Sequence, residues 1–243
     1  MKHFRNYIGS KFQSQVEKTY HAMHTQQTLS YVLSIKENTR SLKSQPRSVW
    51  EIKSKLDEII DYSDPDNDLP QIVHANQTAV FLQQKYMKYP QAIKLVKINT
   101  LFSIQEWNQL PTTVLELYHN KTLPQLYPKI KDWGWFPLIG FIHDLGKILV
   151  LDDFGKLPQW SVVGDTFPIG CAFSDSNIFY EKKFYTHNPD YKIYQTASGC
   201  YKIHCGFEQI HMSYGHNEYL FTVLDQSKST FSPQAKKAAG YII

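Results

Sequence analysis

The sequence predicts a helical protein, because apolar residues repeat at steps of three and four in most segments with a clear pattern. Residues 12–40 form the longest of these segments, and no proline interrupts it. A second apolar stripe runs over 48–60, a further helix begins near Leu69, and a last clear helix covers 208–224. Strict alternation, the pattern of half-buried strands, does not stand out.

The most apolar helix is predicted over 135–149, with Pro137 in its first turn, where a missing N–H costs nothing. Its residues are apolar on nearly every face, so this helix should be buried. His143, Asp144 and Lys147 interrupt the apolar run. Ionisable groups are costly to bury unless they are paired or bind a metal. A core His–Asp pair with a snorkelling lysine is one interpretation; we favour a metal site, with Lys147 one turn further along.

Composition and charge narrow the class of protein. The chain has 243 residues and a formal net charge of +4, and its lysines form no dense basic block. We therefore expect no nucleic-acid partner. No apolar run approaches the roughly 18–20 residues of a membrane span, and three cysteines without a CxxC pattern suit a reducing compartment. These features predict a cytoplasmic protein that does not bind membranes.

An acidic turn is predicted over 61–70, where Asp, Asn, Ser and Pro are concentrated. Its alternating aspartates resemble a calcium loop, but Leu69 stands where that loop needs glycine and Ala75 where it needs glutamate. Two interpretations remain open. The turn could be solvated and cap helices, which the residues alone favour, or it could offer oxygen acceptors to a hydroxylated ligand. His74 follows the turn, and the His143–Asp144 pair downstream makes it a candidate metal ligand.

Several motifs together resemble the myo-inositol oxygenase family over nearly the whole chain outside about 86–126. They are Phe4-Arg5-Asn6-Tyr7, Ser63-Asp64-Pro65-Asp66, His74-x-x-Gln77-Thr78-Ala79, His143-Asp144-Leu145-Gly146-Lys147, Pro158-Gln159-Trp160-x-Val162-Val163-Gly164-Asp165-Thr166-Phe167-Pro168-x-Gly170-Cys171, His204-Cys205-Gly206 and Gly215-His216-x-Glu218-Tyr219-Leu220. The run around Gln159-Trp160 is the most specific of them.

The resemblance implies a fold and a reaction. The fold would be an all-α, HD-domain-like helical bundle with few or no strands, built around a dinuclear metal site. The chain would be one monomeric domain over 1–243 that cleaves the ring of myo-inositol with O2 to give D-glucuronate. Two non-haem iron ions would be its cofactors.

The resemblance also implies roles for individual residues. Iron ligands would be His74, His143, Asp144 and His216, with Asp144 bridging the two ions. Lys147 would act with Asp144 in catalysis by lying beside the substrate oxygens that bind iron. The remaining polyol contacts would be Arg5, Asp61, Tyr62, Ser63, Gly164 and Asp165.

Two departures from the family pattern keep alternatives open. The family has a further histidine and aspartate ligand beyond Ile243, so we expect this domain to be C-terminally incomplete, and a catalytically impaired remnant is one alternative. Residues 86–126 have no counterpart in that pattern and are predicted to be either a lineage-specific insertion or a gene-model error such as translated intron sequence. An HD-type phosphohydrolase is a second alternative; it would need several basic residues near the metals to hold phosphate.

Overall fold

The computed structural model describes Tyr7, residues 9–40, 47–85 and 135–227, and Pro233, Lys236, Ala239 and Gly240 near the C-terminal end. The predicted insertion over 86–126 and the predicted polyol contact Arg5 lie outside the described residues.

The described residues form helices and loops, and no β-strand occurs among them, which confirms the all-α class. The α-helices are α1 (Gln13–Gln26), α2 (Leu29–Arg40), α3 (Val49–Lys55), α4 (Gln71–Lys85), α5 (Trp135–Ile142) and α6 (His216–Gln226). Short 3-10 helices account for much of 145–209. A search of the described helices finds none with the length and apolarity that a bilayer crossing requires.

The chain divides into two compact units. The first contains the described parts of Met1–Gln71 and Leu145–Tyr219, and the second those of Ile72–Asp144 and Leu220–Ile243. In the first unit, Val16, Tyr20 and Met23 of α1 are almost fully buried and pack in one core with Val162 and Tyr214. Each such side chain contributes about 1.5–3 kcal/mol by leaving water, so this core is a main source of the unit's stability.

The single helix predicted over 12–40 is wrong, because α1 ends at Gln26 and α2 begins at Leu29. The buried amide of Gln27 causes the break. Its Nε2 donates to the Tyr214 carbonyl over 2.9 Å, and its Oε1 accepts from the Tyr214 N–H over 3.0 Å. Thr28 then caps α2, since its hydroxyl accepts from the Tyr31 N–H at 3.1 Å. Apolar spacing alone does not reveal such a polar anchor.

The helix predicted over 48–60 is shorter than expected. A capping box starts α3, in which the Ser48 hydroxyl accepts from the Glu51 N–H and the Glu51 carboxylate accepts from the Ser48 N–H. These two bonds satisfy backbone donors at the helix start. The α-helix ends at Lys55, and Leu56–Glu58 continue as one turn of 3-10 helix.

The helix predicted over 208–224 is wrong in its first half. Residues 211–213 pair their backbone with 167–169 instead: the Ile169 N–H donates to the His211 carbonyl, and the Ser213 N–H donates to the Phe167 carbonyl over 2.7 Å. Because these groups are engaged with a distant segment, they are unavailable for helical bonds. The helix α6 therefore begins only at His216.

The apolar helix predicted over 135–149 is interrupted. It is α-helical only over Trp135–Ile142, and Leu145–Val150 form a 3-10 helix. Within the second unit α5 packs closely on α4 at Gly140, where a Cβ atom would lie 2.5 Å from Leu82 Cδ1 and 3.3 Å from Thr78 Cγ2. This close approach brings the end of α5 beside the helix that carries His74.

Candidate active site

In the second unit, three predicted metal ligands lie together: His74 on α4, and His143 and Asp144 directly after α5. The Nε2 atoms of His74 and His143 are 3.2 Å apart. Asp144 directs Oδ2 to within 3.6 Å of His74 Nε2, and Oδ1 to within 3.5 Å of His143 Nε2. Each residue therefore offers one ligand atom to a group in which all lie within 4.8 Å of one another.

The end of α5 explains how adjacent residues can share this site. Neighbours within an α-helix point about 100° apart, which would separate His143 from Asp144. Because the helix stops at Ile142, neither residue is bound by that constraint. The His143 backbone still donates to the Ile139 carbonyl over 2.8 Å, so the last turn holds the histidine in place.

A second contact fixes the orientation of the His143 ring. Its Nδ1 lies 2.7 Å from the Gly140 carbonyl, which can only accept a hydrogen bond. The proton is therefore on Nδ1, and Nε2 carries the lone pair. Metal-binding histidines commonly have this arrangement, in which a carbonyl or carboxylate holds the N–H that does not face the metal.

The separations fit a bound metal ion. Ligands about 2.1 Å from one ion, at angles of 90–110°, are about 3.0–3.4 Å apart. The 3.2 Å between the two Nε2 atoms falls in that range, and the 3.5 and 3.6 Å separations, which involve two different Asp144 oxygens, are slightly longer. The Asp144 side chain is only 3% exposed, whereas that of His74 is 52% exposed. A bound ion would compensate the negative charge of the buried Asp144 carboxylate, and solvent would reach the ion from the His74 side. Two histidines and one carboxylate are a ligand set that suits non-haem iron.

In the first unit, Lys147 is held by two buried acceptors. Its Nζ donates to Asp61 Oδ2 over 2.8 Å and to Gln71 Oε1 over 2.7 Å. Ser63 donates to the other carboxylate oxygen of Asp61 from its backbone N–H over 2.8 Å and from its hydroxyl over 2.5 Å. Burial acts to raise the pKa of Asp61, but the charge of Lys147 and these hydrogen bonds outweigh it and lower that pKa. Asp61 is consequently ionised at neutral pH.

The residues of the acidic turn have two different surroundings. Asp61 and Ser63 belong to the buried Lys147 cluster, whereas Asp64 makes an ordinary turn. One Asp64 oxygen accepts from the Asp66 N–H over 2.7 Å, and the other accepts from the Asn67 amide over 2.9 Å. The Tyr62 side chain is half exposed.

Gly164 and Asp165, predicted to bind the polyol, reach different surroundings. Gly164 has a left-handed φ of +89°, and a Cβ there would lie 3.5 Å from Ser63 Cβ and 2.7 Å from Met23 Sδ. It therefore packs beside the Lys147 cluster, where only glycine fits. The Asp165 N–H donates to the Tyr20 hydroxyl over 3.2 Å, and Asp165 lines a separate cavity beside α1.

His216, the fourth predicted iron ligand, starts α6 within the first unit. Its Nδ1 lies 2.8 Å from the Val162 carbonyl, so the proton is on Nδ1 and the lone pair is on Nε2, as in His143. A Cβ atom at Gly146 would be 2.0 Å from the His216 carbonyl oxygen. The glycine of the His143–Lys147 motif is therefore required by backbone packing against His216. The role of His216 as a metal ligand remains a prediction.

Two glutamines were not predicted to have roles at these sites. Gln71 is buried, begins α4 and holds Lys147, and its own N–H donates to the Ile59 carbonyl over 3.0 Å. Gln159 fixes the acidic turn, because its Nε2 donates to the Ile60 carbonyl over 2.9 Å and its Oε1 accepts from the Tyr62 N–H. Gln159 lies within one of the motifs quoted above and Gln71 lies three residues before His74, which is the signal that could have identified them.

The fold and the His74–His143–Asp144 group define an all-α protein with a candidate transition-metal site. A sequence model of the family described as Myo-inositol oxygenase matches residues 13–107 and 117–242. The chain belongs to the myo-inositol oxygenase family. The unmatched residues 108–116 fall inside the predicted insertion, whereas the match extends over 86–107 and 117–126 on either side of them.

Curated relatives agree with the family assignment. An inositol oxygenase of Dictyostelium discoideum is 38% identical over 226 residues, which are 92% of this chain and 62% of that protein. Inositol oxygenase 4 of Arabidopsis thaliana is 33% identical over 94% of this chain and 59% of its own length. The Homo sapiens inositol oxygenase is 34% identical over 96% of this chain and 65% of its own length. The chain thus spans about three fifths of the length of such relatives.

Proposed function

We propose that this chain is an inositol oxygenase, an iron-dependent enzyme that opens the ring of myo-inositol with O2 and yields D-glucuronate and water. Family membership and the names of the relatives support this activity. The observation that carries it is the group of two imidazole nitrogens and one buried carboxylate within 4.8 Å. An HD-type domain architecture, a monomeric state and a cytoplasmic location belong to the same proposal.

The iron ligands would be His74, His143, Asp144 and His216. The proposal that Asp144 bridges two irons is supported by its two carboxylate oxygens, which face different histidines. The carbonyls behind His143 and His216 support their roles, because each leaves Nε2 as the basic nitrogen. Bound iron would supply oxygen activation and Lewis acidity toward the substrate hydroxyls.

The polyol would be recognised by Lys147 and by oxygen acceptors. Lys147 is paired with Asp61 at 2.8 Å, and an ammonium group at this position can stabilise an oxygen that loses a proton. Asp61 and Ser63 can exchange hydrogen bonds with hydroxyl groups, which act as both donors and acceptors. Arg5, Tyr62, Gly164 and Asp165 complete the proposed polyol contacts.

The phosphohydrolase alternative is weaker. A phosphate would need uncompensated positive charge, but Lys147 is paired with the buried carboxylate of Asp61 at 2.8 Å. Asp61 would also repel the anion. The Lys147 cluster of the first unit therefore suits a neutral polyol better than a phosphoester.

The decisive experiment measures iron content and inositol-dependent O2 uptake of the purified chain, with His143→Ala and His187→Ala compared. We expect bound iron and O2 uptake in the wild type, loss of both in His143→Ala, and retention of both in His187→Ala, since His187 is exposed. Iron that is bound equally by all three proteins would contradict the proposed ligands. Iron without O2 uptake, but with phosphoester hydrolysis, would favour the phosphohydrolase. Little iron in the wild type would favour the impaired remnant.

A further inference from the structure

Two Gly-Cys dipeptides of the first unit, Gly170-Cys171 and Gly199-Cys200, lie against each other. The Cys200 N–H donates to the Gly170 carbonyl over 2.9 Å. On the other side of Cys171, the Ala172 N–H donates to the Thr196 carbonyl, also over 2.9 Å. Backbone hydrogen bonds therefore hold the two cysteine-bearing segments together, although 29 positions separate the cysteines in the sequence.

The glycine before Cys200 permits this close approach. Gly199 has a left-handed φ of +52°, and a Cβ atom there would collide with both the Gly170 carbonyl oxygen and the Cys171 Cα. Any other residue at this position would push the two segments apart, because it would carry that Cβ. The approach of the two cysteines is thus built into the backbone.

The contact places the two cysteines within reach of a disulfide. The Gly170 carbonyl belongs to the peptide unit that ends at the Cys171 Cα, and its oxygen lies 2.9 Å from the Cys200 nitrogen. Standard bond lengths then keep the two cysteine Cα atoms within about 7 Å of each other. Disulfides usually join Cα atoms that are about 4.4–6.8 Å apart. The backbone separation is therefore compatible with a bond between Cys171 and Cys200.

The two thiols are free in the structure and differ in their surroundings. Cys200 is exposed, so a small oxidant can reach it, whereas Cys171 is partly buried. Burial, and then the charge of Cys200, raises the pKa of the Cys171 thiol. Because thiolates rather than thiols attack disulfides, Cys200 is the group that reacts first with an external oxidant.

We propose that Cys171 and Cys200 are a redox-responsive pair, which forms an intrachain disulfide when the folded chain meets a small disulfide such as oxidised glutathione. The Cys200 Sγ lies beside Gly170, where a Cβ would be 2.9 Å away, so no side chain stands between it and that backbone. Rotation about the Cα–Cβ bonds of the two cysteines brings their sulfur atoms together.

The exchange balances without a further reactant. The Cys200 thiolate attacks a sulfur of oxidised glutathione, and one glutathione leaves as a thiolate. Cys171 then gives up its proton and attacks Cys200 Sγ, and the second glutathione leaves. Two protein thiols and one glutathione disulfide thus become one protein disulfide and two glutathione thiols.

The bond would lock an exposed part of the first unit. It closes a loop of 30 residues, from Cys171 to Cys200, which reduces the freedom of the unfolded chain. The native contact already has a further link, because the Tyr201 hydroxyl donates to the Ile169 carbonyl over 2.6 Å. Neither iron nor turnover enters this inference, so it can fail or succeed independently of the proposed oxygenase activity.

The test treats the reduced, folded full chain with oxidised glutathione, blocks the remaining thiols with N-ethylmaleimide and maps the peptides without reduction. We expect peptides linked through Cys171 and Cys200, with Cys205 alone carrying N-ethylmaleimide. Cys205→Ser is the matched control and should form the same bond. Cys171→Ser should instead retain glutathione on Cys200. The oxidised wild type should melt at least about 5 °C above the reduced wild type, and Cys171→Ser should show no such rise.

The same treatment in urea separates the effect of the fold from that of sequence distance. Cys200 and Cys205 are five positions apart, so the unfolded chain should favour a bond between them. If the folded chain also gives that bond, gives only glutathione adducts or keeps all its thiols, the inference is wrong. A linked pair without a rise in melting temperature would contradict the lock. Because the wild type carries the decisive readout, a variant that fails to fold does not remove the test.

Discussion

The buried Lys147–Asp61 pair makes a quantitative prediction about stability. Lys147→Met keeps an unbranched apolar stem of similar length and removes the ammonium. Asp61 would then keep only its two hydrogen bonds from Ser63, and Gln71 Oε1 would lose its donor. Both Lys147 and Asp61 have side chains no more than 10% exposed, so water cannot replace the lost partner at low cost.

The expected loss can be worked out from these contacts. Breaking a buried pair by removing one partner costs about 3–5 kcal/mol. The two hydrogen bonds from Ser63 continue to stabilise the carboxylate, which favours the lower end. The unsatisfied Gln71 oxygen adds about 1–3 kcal/mol. We therefore expect Lys147→Met to reduce the free energy of unfolding by about 4 kcal/mol at pH 7.

The loss should depend on pH in a specific direction. In the wild type the pKa of Asp61 is lowered, so its contribution is present at neutral pH and is lost as pH falls. In Lys147→Met, burial without the cation raises the pKa of Asp61, so the folded variant gains stability from proton uptake as pH falls. The difference in unfolding free energy between the two proteins should therefore shrink between pH 7 and pH 4.

Urea unfolding followed by circular dichroism measures this difference. Lys156→Met is the matched control, because that lysine pairs with Asp152 at a site where both side chains are 75% exposed. We expect no measurable change for the control. Asp61→Asn combined with Lys147→Met should recover part of the loss, since no buried charge remains. Equal stability of Lys147→Met and Lys156→Met, or a difference that does not change with pH, would refute the reasoning.

Further predictions concern His24, two glycines and the metal ligands. Burial lowers the pKa of His24 from 6.5 to about 4 in the folded state, so its contribution to stability is present above pH 6.5 and about 3 kcal/mol of it is lost as pH falls to 4. His24→Phe should remove this part of the pH dependence of urea unfolding. An unchanged pH profile in the variant would contradict the prediction. Gly146→Ala should destabilise the folded protein by about 3 kcal/mol or more, because the new Cβ would meet a backbone carbonyl at 2.0 Å. Gly140→Ala should destabilise it less, because its Cβ would meet the flexible end of the Leu82 side chain. Equal shifts in melting temperature for the two variants would argue against backbone packing as the cause. His74→Ala should lower the metal affinity measured by equilibrium dialysis at least tenfold. Its stability should change little, because the His74 side chain is half exposed. Unchanged metal affinity would exclude His74 as a ligand.

The sequence could predict the helical class and the parts of the site that depend on local pattern. Apolar spacing predicted the outer ends of the α1–α2 segment and the start of α4 within a few residues of their observed positions, and the polar residues in the most apolar run marked His143 and Asp144 as unusual. The ionisable groups of a buried segment carry information because their burial must be compensated. His74 was grouped with the other two because a His–Asp pair lies downstream of it, and the family resemblance supported that grouping.

The features of the fold that the sequence could not predict depend on contacts between distant residues. No local pattern indicates that Gln27 will bond the backbone of Tyr214, or that residues 211–213 will pair with 167–169. The end of α5 at Ile142 is also not indicated locally, because the apolar pattern continues through Val150 without a proline. Helical propensity is a weak preference, and tertiary hydrogen bonds override it at these positions.

The unequal exposure of the three clustered ligands has a kinetic consequence. Asp144 is enclosed, His143 is one quarter exposed and His74 is half exposed, so the group has one protected end and one open end. An ion leaving this group would first release His74 and keep the carboxylate until last. Chelators and histidine-selective reagents should therefore act through His74, and the rate of metal exchange should respond to substitutions there before it responds to changes in overall stability.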